Sequence, residues 1–393
     1  MRRFLRSPAV RIVAALVVVG VFLHFQILRR TYRRAAQYER SLVGEHVSTD
    51  GVAVAVVWPD KSFVDGVTLA WEEMNAAKGP FAGKIRLRVF TERSARQAED
   101  LAREVAGYSD VVAVLGHQYS DGVIPASVTY ESHGLLFIVP QFSSPRLTSH
   151  GFQFLFRVTP DDRLLAHAMT LFAQQSGFKK VGVLYERNEQ GLSAGVQLEE
   201  ALTDAHMDVP FFNAYPQDDE HWYGHDFRPL VAQIRKEQFD AIALSGQLPH
   251  TAKLLVDLAK MGVTQPILAT DDLDSVEIFQ RAGASANNVF VASSVDPDSN
   301  APAFVSFRDR FTRRFGVRPG YAATQGYEAF STFVEACRLS EDAGPIVVAT
   351  TLRTNTFKGL FGTFTFDDAG NVRGLPISIK RHTNGTFVTV GIE

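Results

Sequence analysis

From residue 52 onward, short apolar runs alternate with amphipathic stretches. Residues 52–58 (VAVAVVW), 84–90 (KIRLRVF), 111–115 and 135–139 read as strands, with helices between them over 64–77, 95–107 and 120–131. Unbroken Val, Ile and Leu runs of this length suit parallel strands covered on both faces. Past Arg157 the alternation restarts. Helices are expected over 161–177, 196–205, 227–237 and 251–261, and strands from 181 (VGVLY), over 209–213, at AIALS (241–245), at PILAT (266–270) and over 288–293. The pattern is that of two doubly wound α/β lobes.

The last hundred residues change character. Two helices, 302–315 and 322–339, and a third before Phe357 precede three strand-like pieces at 362–366, 375–381 and 386–390. A tail too small to fold alone must join sheets already built, so the chain is expected to cross between lobes more than once. The expected boundaries are 51–158 with 294–361 for the first lobe and 159–293 with 362–393 for the second.

Before residue 51 the picture differs. Residues 12–28 (IVAALVVVGVFLHFQIL) form an apolar run of 17, about 25 Å long as a helix, at the short end of what crosses a bilayer. Arginines 2, 3, 6 and 11 precede it and arginines 29, 30, 33 and 34 follow, a cationic anchor at each end. The run ends in Leu-Arg-Arg without a small-x-small cleavage site, and no cysteine follows for lipidation. Residues 1–30 therefore read as an uncleaved signal anchor, and 31–50 as a juxtamembrane linker that holds the body off the bilayer. Equal arginine counts leave orientation open.

The net charge of −3 hides this asymmetry: residues 1–40 hold nine Arg and one Glu, leaving 31 basic against 42 acidic residues beyond. A body that acidic lacks the clustered cations that neutralise phosphate, which argues against a nucleic-acid partner. Cys337, the only cysteine, lies in an apolar helical run and reads as a buried thiol; it excludes an intramolecular disulfide.

Enzyme signatures are poor. Gly79-Pro-Phe-Ala-Gly83-Lys84-Ile85 lacks one spacer and the Ser/Thr of a phosphate loop, and reads as a turn before a strand. His221 and His225, in HWYGH, share metal-ligand spacing, but Gly224 and the intervening aromatics favour a loop. No H-E-x-x-H or G-x-G-x-x-G occurs. No cofactor and no metal is expected.

A binding cleft is better supported. In residues 111–148 a parallel crossover puts Gly116–Ser120 and Pro140–Ser144 at the same carboxyl edge, where open α/β sheets bind ligands. Ser120, Phe142, Ser143, Gln190, Gln247 and Asp271 all fall at such strand ends. Hydroxyls and N–H groups at helix starts suit a carboxylate, and an acid opposite suits an ammonium group. Ser120 and Asp271 equally suit helix capping, and Ser143 the shaping of its Ser-Ser-Pro turn.

Several segments, in order and spacing, carry a resemblance: VLGHQYSDGVIPAS, IVPQFSSPRLT, FRVTPDD, KKVGVLYERNEQG, GYAATQGYEAF and FKGLFGTFTFDDAGNVRG. Over residues 50–393 the chain resembles type I periplasmic solute-binding proteins of the branched-chain amino acid (leucine-binding protein-like) group. The resemblance implies two Rossmann-like lobes joined by three crossovers, near 157–159, 292–294 and 361–363. It implies a carboxylate site at Ser120, Ser143 and the backbone of Phe142, an ammonium site at Asp271, and side-chain pocket positions at Gln190, Gln247 and Tyr327. Gln190 and Gln247 stand where aromatics are frequent, and the 58–65 loop is several residues shorter than in amino-acid binders, features that suit a more polar ligand. The expected function is a membrane-anchored extracytoplasmic solute receptor, not an enzyme, that presents an amino-acid-like or polar metabolite to an ABC permease at the inner membrane. The alternatives are a sensor of the same fold with a membrane signalling partner, a cleft enzyme with an unrecognised site, and a member that no longer binds.

Overall fold

The computed structural model of the chain describes residues 18–24, 27, 31, 35–40, 51–216, 226–275, 277–296 and 299–392. Its first sheet uses β1 (Val52–Val57), β2 (Ile85–Phe90), β3 (Val111–Gly116), β4 (Leu136–Val139) and β5 (Leu155–Arg157), in order β2-β1-β3-β4-β5 and parallel throughout. Helices α1 (Lys61–Ala76), α2 (Ala98–Ala106) and α3 (Ser120–Ser132) make its crossovers. Every residue of β1 and β3 is buried, as unbroken apolar runs require.

The chain leaves this sheet after Arg157 and enters α4 (Asp162–Gln175), capped by Asp161, whose Oδ1 accepts from Leu164 N–H. There follow β6 (Val181–Glu186), α5 (Glu189–Asp204), β7 (Phe212–Tyr215), α6 (Arg228–Ile234), β8 (Ala241–Ser245), α7 (His250–Lys260), β9 (Ile267–Ala269), α8 (Glu277–Ala282) and β10 (Val289–Ser293). Helix α5 starts seven residues before its expected start, because the Asn188 side chain accepts from Gly191 N–H and opens the helix there.

Helices α9 (Pro302–Phe315), α10 (Tyr321–Ser340) and α11 (Pro345–Thr354) then return to the first lobe, where Phe330, Phe333, buried Cys337 and Leu352 pack with β1 and β3. The ribbon β11 (Phe357–Lys358), β12 (Thr363–Phe366) and β13 (Val372–Arg373) stays there too: Phe357, Phe364, Phe366 and Val372 join the same core, and Arg157 bridges Asn371. This corrects the expected third crossover at 361–363. The chain reaches the second sheet only with β14 (Ser378–Thr383) and β15 (Thr386–Ile392), completing the order β15-β14-β10-β9-β8-β6-β7, with β14 antiparallel to both neighbours.

Helices α1 and α10 cross at two glycines. A Cβ on Gly66 would lie 2.0 Å from Ala323 O, and one on Gly326 2.3 Å from Phe63 O. Backbone cannot retreat from such a contact without separating the helices. Gly66→Ala is expected to destabilise the protein by about 1–3 kcal/mol, read as a lower urea midpoint with unchanged slope.

Among the described residues no helix is long and apolar enough to cross a membrane. Most of the expected anchor, 12–28, lies outside them; residues 18–24 and 27 are helical and exposed. The expected linker is less detached than its polarity suggests. Arg40 donates to Ala106 O at 2.9 Å, to Tyr108 O at 3.1 Å and to Val111 O, and Gln37 donates to Glu131 O at 3.2 Å. Residues 35–40 thus cap the amino edge of the first sheet, opposite the edge that carries the candidate site.

Candidate functional site

Each lobe presents a glycine-kinked strand end pinned by a buried carboxylate. Gly116 and Gly246 have φ of 144° and 148°; a Cβ would lie 2.1 Å from Val57 O at the first and 1.9 Å from Tyr215 Oη at the second. In the first lobe Glu92 accepts from Gln118 N–H (2.9 Å) and pairs with His117 Nδ1 (2.6 Å), whose Nε2 meets the Tyr130 hydroxyl at 2.8 Å. In the second, Glu186 accepts from Gln247 N–H (2.9 Å) and pairs with His250 Nδ1 (2.8 Å). Loop N–H groups that would otherwise be unpaired are thereby fixed, and both loops face the space between the lobes.

Several expected residues meet there. Gln190 Nε2, from the first turn of α5, donates to Ser143 Oγ across the lobes at 2.7 Å, and Ser193 Oγ donates to Ser144 Oγ at 2.9 Å. Phe142 is buried behind them, its carbonyl accepting from Arg157. Asp271 follows β9 in a short 3-10 turn, so it does not cap a long helix, and its Oδ2 accepts from the Tyr321 hydroxyl at 2.9 Å. Ser120 is half-buried as the first residue of α3, and Tyr119, with no side-chain bond, takes the cap position. Gln247 is tied through its backbone to Glu186 and, by its carbonyl, to the Thr251 hydroxyl.

Tyr327 is not with them. Its hydroxyl donates to Glu73 Oε2 at 2.7 Å and accepts from Arg310 Nη2 at 3.0 Å, on the flank of the first lobe. Six residues separate it from Tyr321, about 240° round a helix of 3.6 residues per turn, so the two tyrosines leave α10 on different faces. Tyr321, which also lies 3.2 Å from Thr159 Oγ1, is the one of the two tyrosines that spans the lobes. His221 and His225 lie outside the described residues; among the described ones no group of three or more His, Cys, Asp or Glu side chains is placed to hold a metal ion.

Charge at the site was only partly anticipated. Arg157, fully buried, donates to Ser144 O at 2.8 Å, to Phe142 O at 3.2 Å and to Asn371 Oδ1, with Asp161 Oδ2 at 3.7 Å. Burial pulls its pKa down to about 10, with Asp161 opposing. Asp162 accepts from Ser193 Oγ at 3.1 Å and is pushed by burial up to about 6. Burial likewise pushes Asp271 up to about 7, against the Tyr321 hydrogen bond, and Asp272 well above the ordinary carboxylate range, with Asp271 adding to the rise.

The sign of the resulting pH dependence follows. These carboxyls hold protons in the folded state that they have lost in the unfolded chain, whose carboxylates titrate near 3.8. Stability is therefore gained below the folded values and lost as pH rises through about 6 to 7. Glu328, raised to about 7 by burial, acts in the same direction, and His382, lowered by burial, in the opposite one. Burial also raises Glu186, and with five carboxyls against one imidazole the unliganded protein is expected to melt several degrees higher at pH 5.5 than at pH 8 in differential scanning calorimetry.

With this geometry in place, comparison with known proteins is informative. The model of a family described as periplasmic binding protein matches residues 55–378. The Leu/Ile/Val-binding protein of Escherichia coli K12 is 24% identical over 330 residues, 83% of this chain and 87% of that protein. Among solved structures, an ABC transporter substrate-binding protein from Desulfitobacterium hafniense in complex with Leu superposes with a TM-score of 0.76, at 24% identity, over 86% of this chain and all of the other. A solute-binding protein of an ABC transporter from R. palustris, in complex with benzoate, gives 0.74 at 16% identity over 87% and 96%.

Proposed function

This chain belongs to the periplasmic binding protein family, and from that premise we propose that it is a membrane-tethered solute receptor whose two lobes close on a small amino-acid-like or polar metabolite and present it to an ABC-type permease. Proteins of this family bind solutes and are not enzymes. The observation that carries the reading is the Tyr321–Asp271 bond, in which a first-lobe hydroxyl engages a second-lobe carboxylate at the carboxyl edges of both sheets. A solute shifts lobe closure only by its greater affinity for the closed form, so groups from both lobes are required. Ser143 with Gln190 forms the second such pair.

The proposed wall comprises Ser120, the Phe142 backbone, Ser143, Gln190, Gln247 and Asp271, with Tyr321 in place of Tyr327. The names of the leucine-binding relatives support an amino-acid-like solute. The tether is residues 12–28, and family membership, rather than the tether's charge, supports a body on the extracytoplasmic side of the inner membrane. Docking of residues 35–40 on the amino edge of the first sheet supports a cleft directed away from the bilayer. The same docking favours, as a second reading, a sensor that reports occupancy through the anchor.

Thermal-shift screening of the detergent-purified full-length chain against amino acids, amides and carboxylates tests the proposal. A true solute at a hundred times its Kd adds about 2.7 kcal/mol of stability, saturates at one equivalent and is recovered unchanged. Silence across the panel would remove the binding function, and consumption of a compound would replace it with catalysis.

A further inference from the structure

The lobe junction carries more acceptors and negative charge than its own residues satisfy. Glu186, at the end of β6, is matched by His250 and the Gln247 N–H. Asp162 has Arg157 in electrostatic reach and a bond from Ser193. Asp271 and Asp272, just beyond β9, have no cationic hydrogen-bond partner among the described residues: Asp271 accepts from the Tyr321 hydroxyl and its own N–H, and Asp272 from the Thr270 hydroxyl at 3.5 Å. Lys380, the nearby buried ammonium, is committed to Asp274 and to Val295 O at 2.6 Å.

A second observation is independent of these acids. Gln190 is 2% exposed and its Nε2 is spent on Ser143, yet its Oε1 has no partner among the described residues. Asp162 Oδ1 (residue 0% exposed) and Gln325 Oε1 (residue 3% exposed), the latter one turn along α10 from Tyr321, are likewise buried and unpaired. An unpaired buried acceptor costs about 1–3 kcal/mol. Unpaired donors near the first lobe's strand ends are Arg157 Nε and Trp58 Nε1, and the Ser143 hydroxyl accepts from Gln190. An apolar side chain in the cleft would leave every one of these acceptors unsatisfied. Ammonium and guanidinium groups have only donors to offer and bring the missing charge. The acceptors come from two places in the fold, Asp271 with Asp272 beyond β9 and Asp162 with Gln190 beside the crossover, and the Asp162 charge reaches both Asp271 and Asp272, so the three carboxyls together favour more than one cationic group.

Resting on the solute-binding reading, we propose that the solute of this cleft is a small molecule with two positively charged nitrogen groups, a basic amino acid, guanidino amine or diamine. The two unpaired donors could take a carboxylate, and the probes separate that case. Calorimetric titration of the full-length chain at pH 8 compares arginine and lysine with agmatine and putrescine, and all four with leucine, isoleucine, valine and glutamine. At least one dication is expected to bind at one equivalent, and at least about tenfold more tightly than any of the four neutral amino acids. Arginine above agmatine adds a carboxylate site, and agmatine at or above arginine removes it; both support the dication. Asp272→Asn is expected to weaken the dication at least about tenfold while leaving the unliganded melting temperature equal or higher, because it relieves carboxylate repulsion without disturbing the fold. Binding of leucine, isoleucine, valine or glutamine with none of the dications overturns the inference and leaves solute binding standing. Binding of nothing overturns both, and unchanged dication affinity in a folded Asp272→Asn protein overturns the inference alone.

Discussion

Replacing Arg157 by methionine is expected to cost about 3–5 kcal/mol of folding free energy. Methionine fills much of the volume, so the loss comes from what the guanidinium holds. Its fork binds the carbonyls of Phe142 and Ser144 after β4 and the side chain of Asn371 in the ribbon beside β5, with Asp161 close by. Without it, the Phe142 carbonyl loses its donor, Ser144 O is left with Leu147 N–H and Asn371 Oδ1 with the Thr148 hydroxyl, and among the described residues the Asp161–Asp162 pair keeps only Arg373, 3.8 Å from Asp161 Oδ2. Arg157→Lys is expected to recover less than half of the loss, since one ammonium cannot serve acceptors arranged for a planar fork. Urea unfolding at pH 7.5 measures both; a loss below about 1 kcal/mol for methionine would mean that water replaces the guanidinium and that the strand end is not organised by it.

Arg157 also shows which features were legible in the chain. Its place at the first crossover was, because the β-period pattern stops there and a helical one starts. Its burial was not, since no local pattern distinguishes a lone arginine at a strand end from an exposed one. The parallel strands were plain for the opposite reason: two-sided burial demands apolar residues at every position, and Val52–Val57 carries them. The third crossover was misplaced because Thr363–Phe366 alternates as an edge strand would in either lobe. Only the packing of Phe364 and Phe366 against the first core decides between them. Tyr327 was taken for Tyr321 within one motif, an error of helical phase. Cys337 and the turn before β2 needed only composition and spacing. Asp162 and Gln325 gave no signal, since their neighbours come from distant parts of the chain.

Asp271→Ala is expected to weaken the bound solute by about 30-fold or more, at about 2–5 kcal/mol. Two groups would be stranded by the change: the solute's cationic nitrogen, and the Tyr321 hydroxyl that donates to Asp271 across the lobes. The first loss falls on affinity alone, and the second also falls on closure. Tyr321→Phe separates them, because it leaves the carboxylate for the solute and removes only the lobe-to-lobe bond; its expected loss is about fivefold to tenfold, in line with the net worth of a single hydrogen bond. The pH dependence offers an internal control. Asp271 is held at about 7 in the unliganded protein, so a cationic solute must displace a proton near neutrality, and wild-type affinity should rise between pH 6 and pH 8. In Asp271→Ala that rise should shrink, leaving the part due to Asp162 and Asp272. Titrations of the two variants at both pH values therefore test the carboxylate as ammonium partner. Wild-type affinity in a folded Asp271→Ala protein would transfer that role to Asp272 or Asp162.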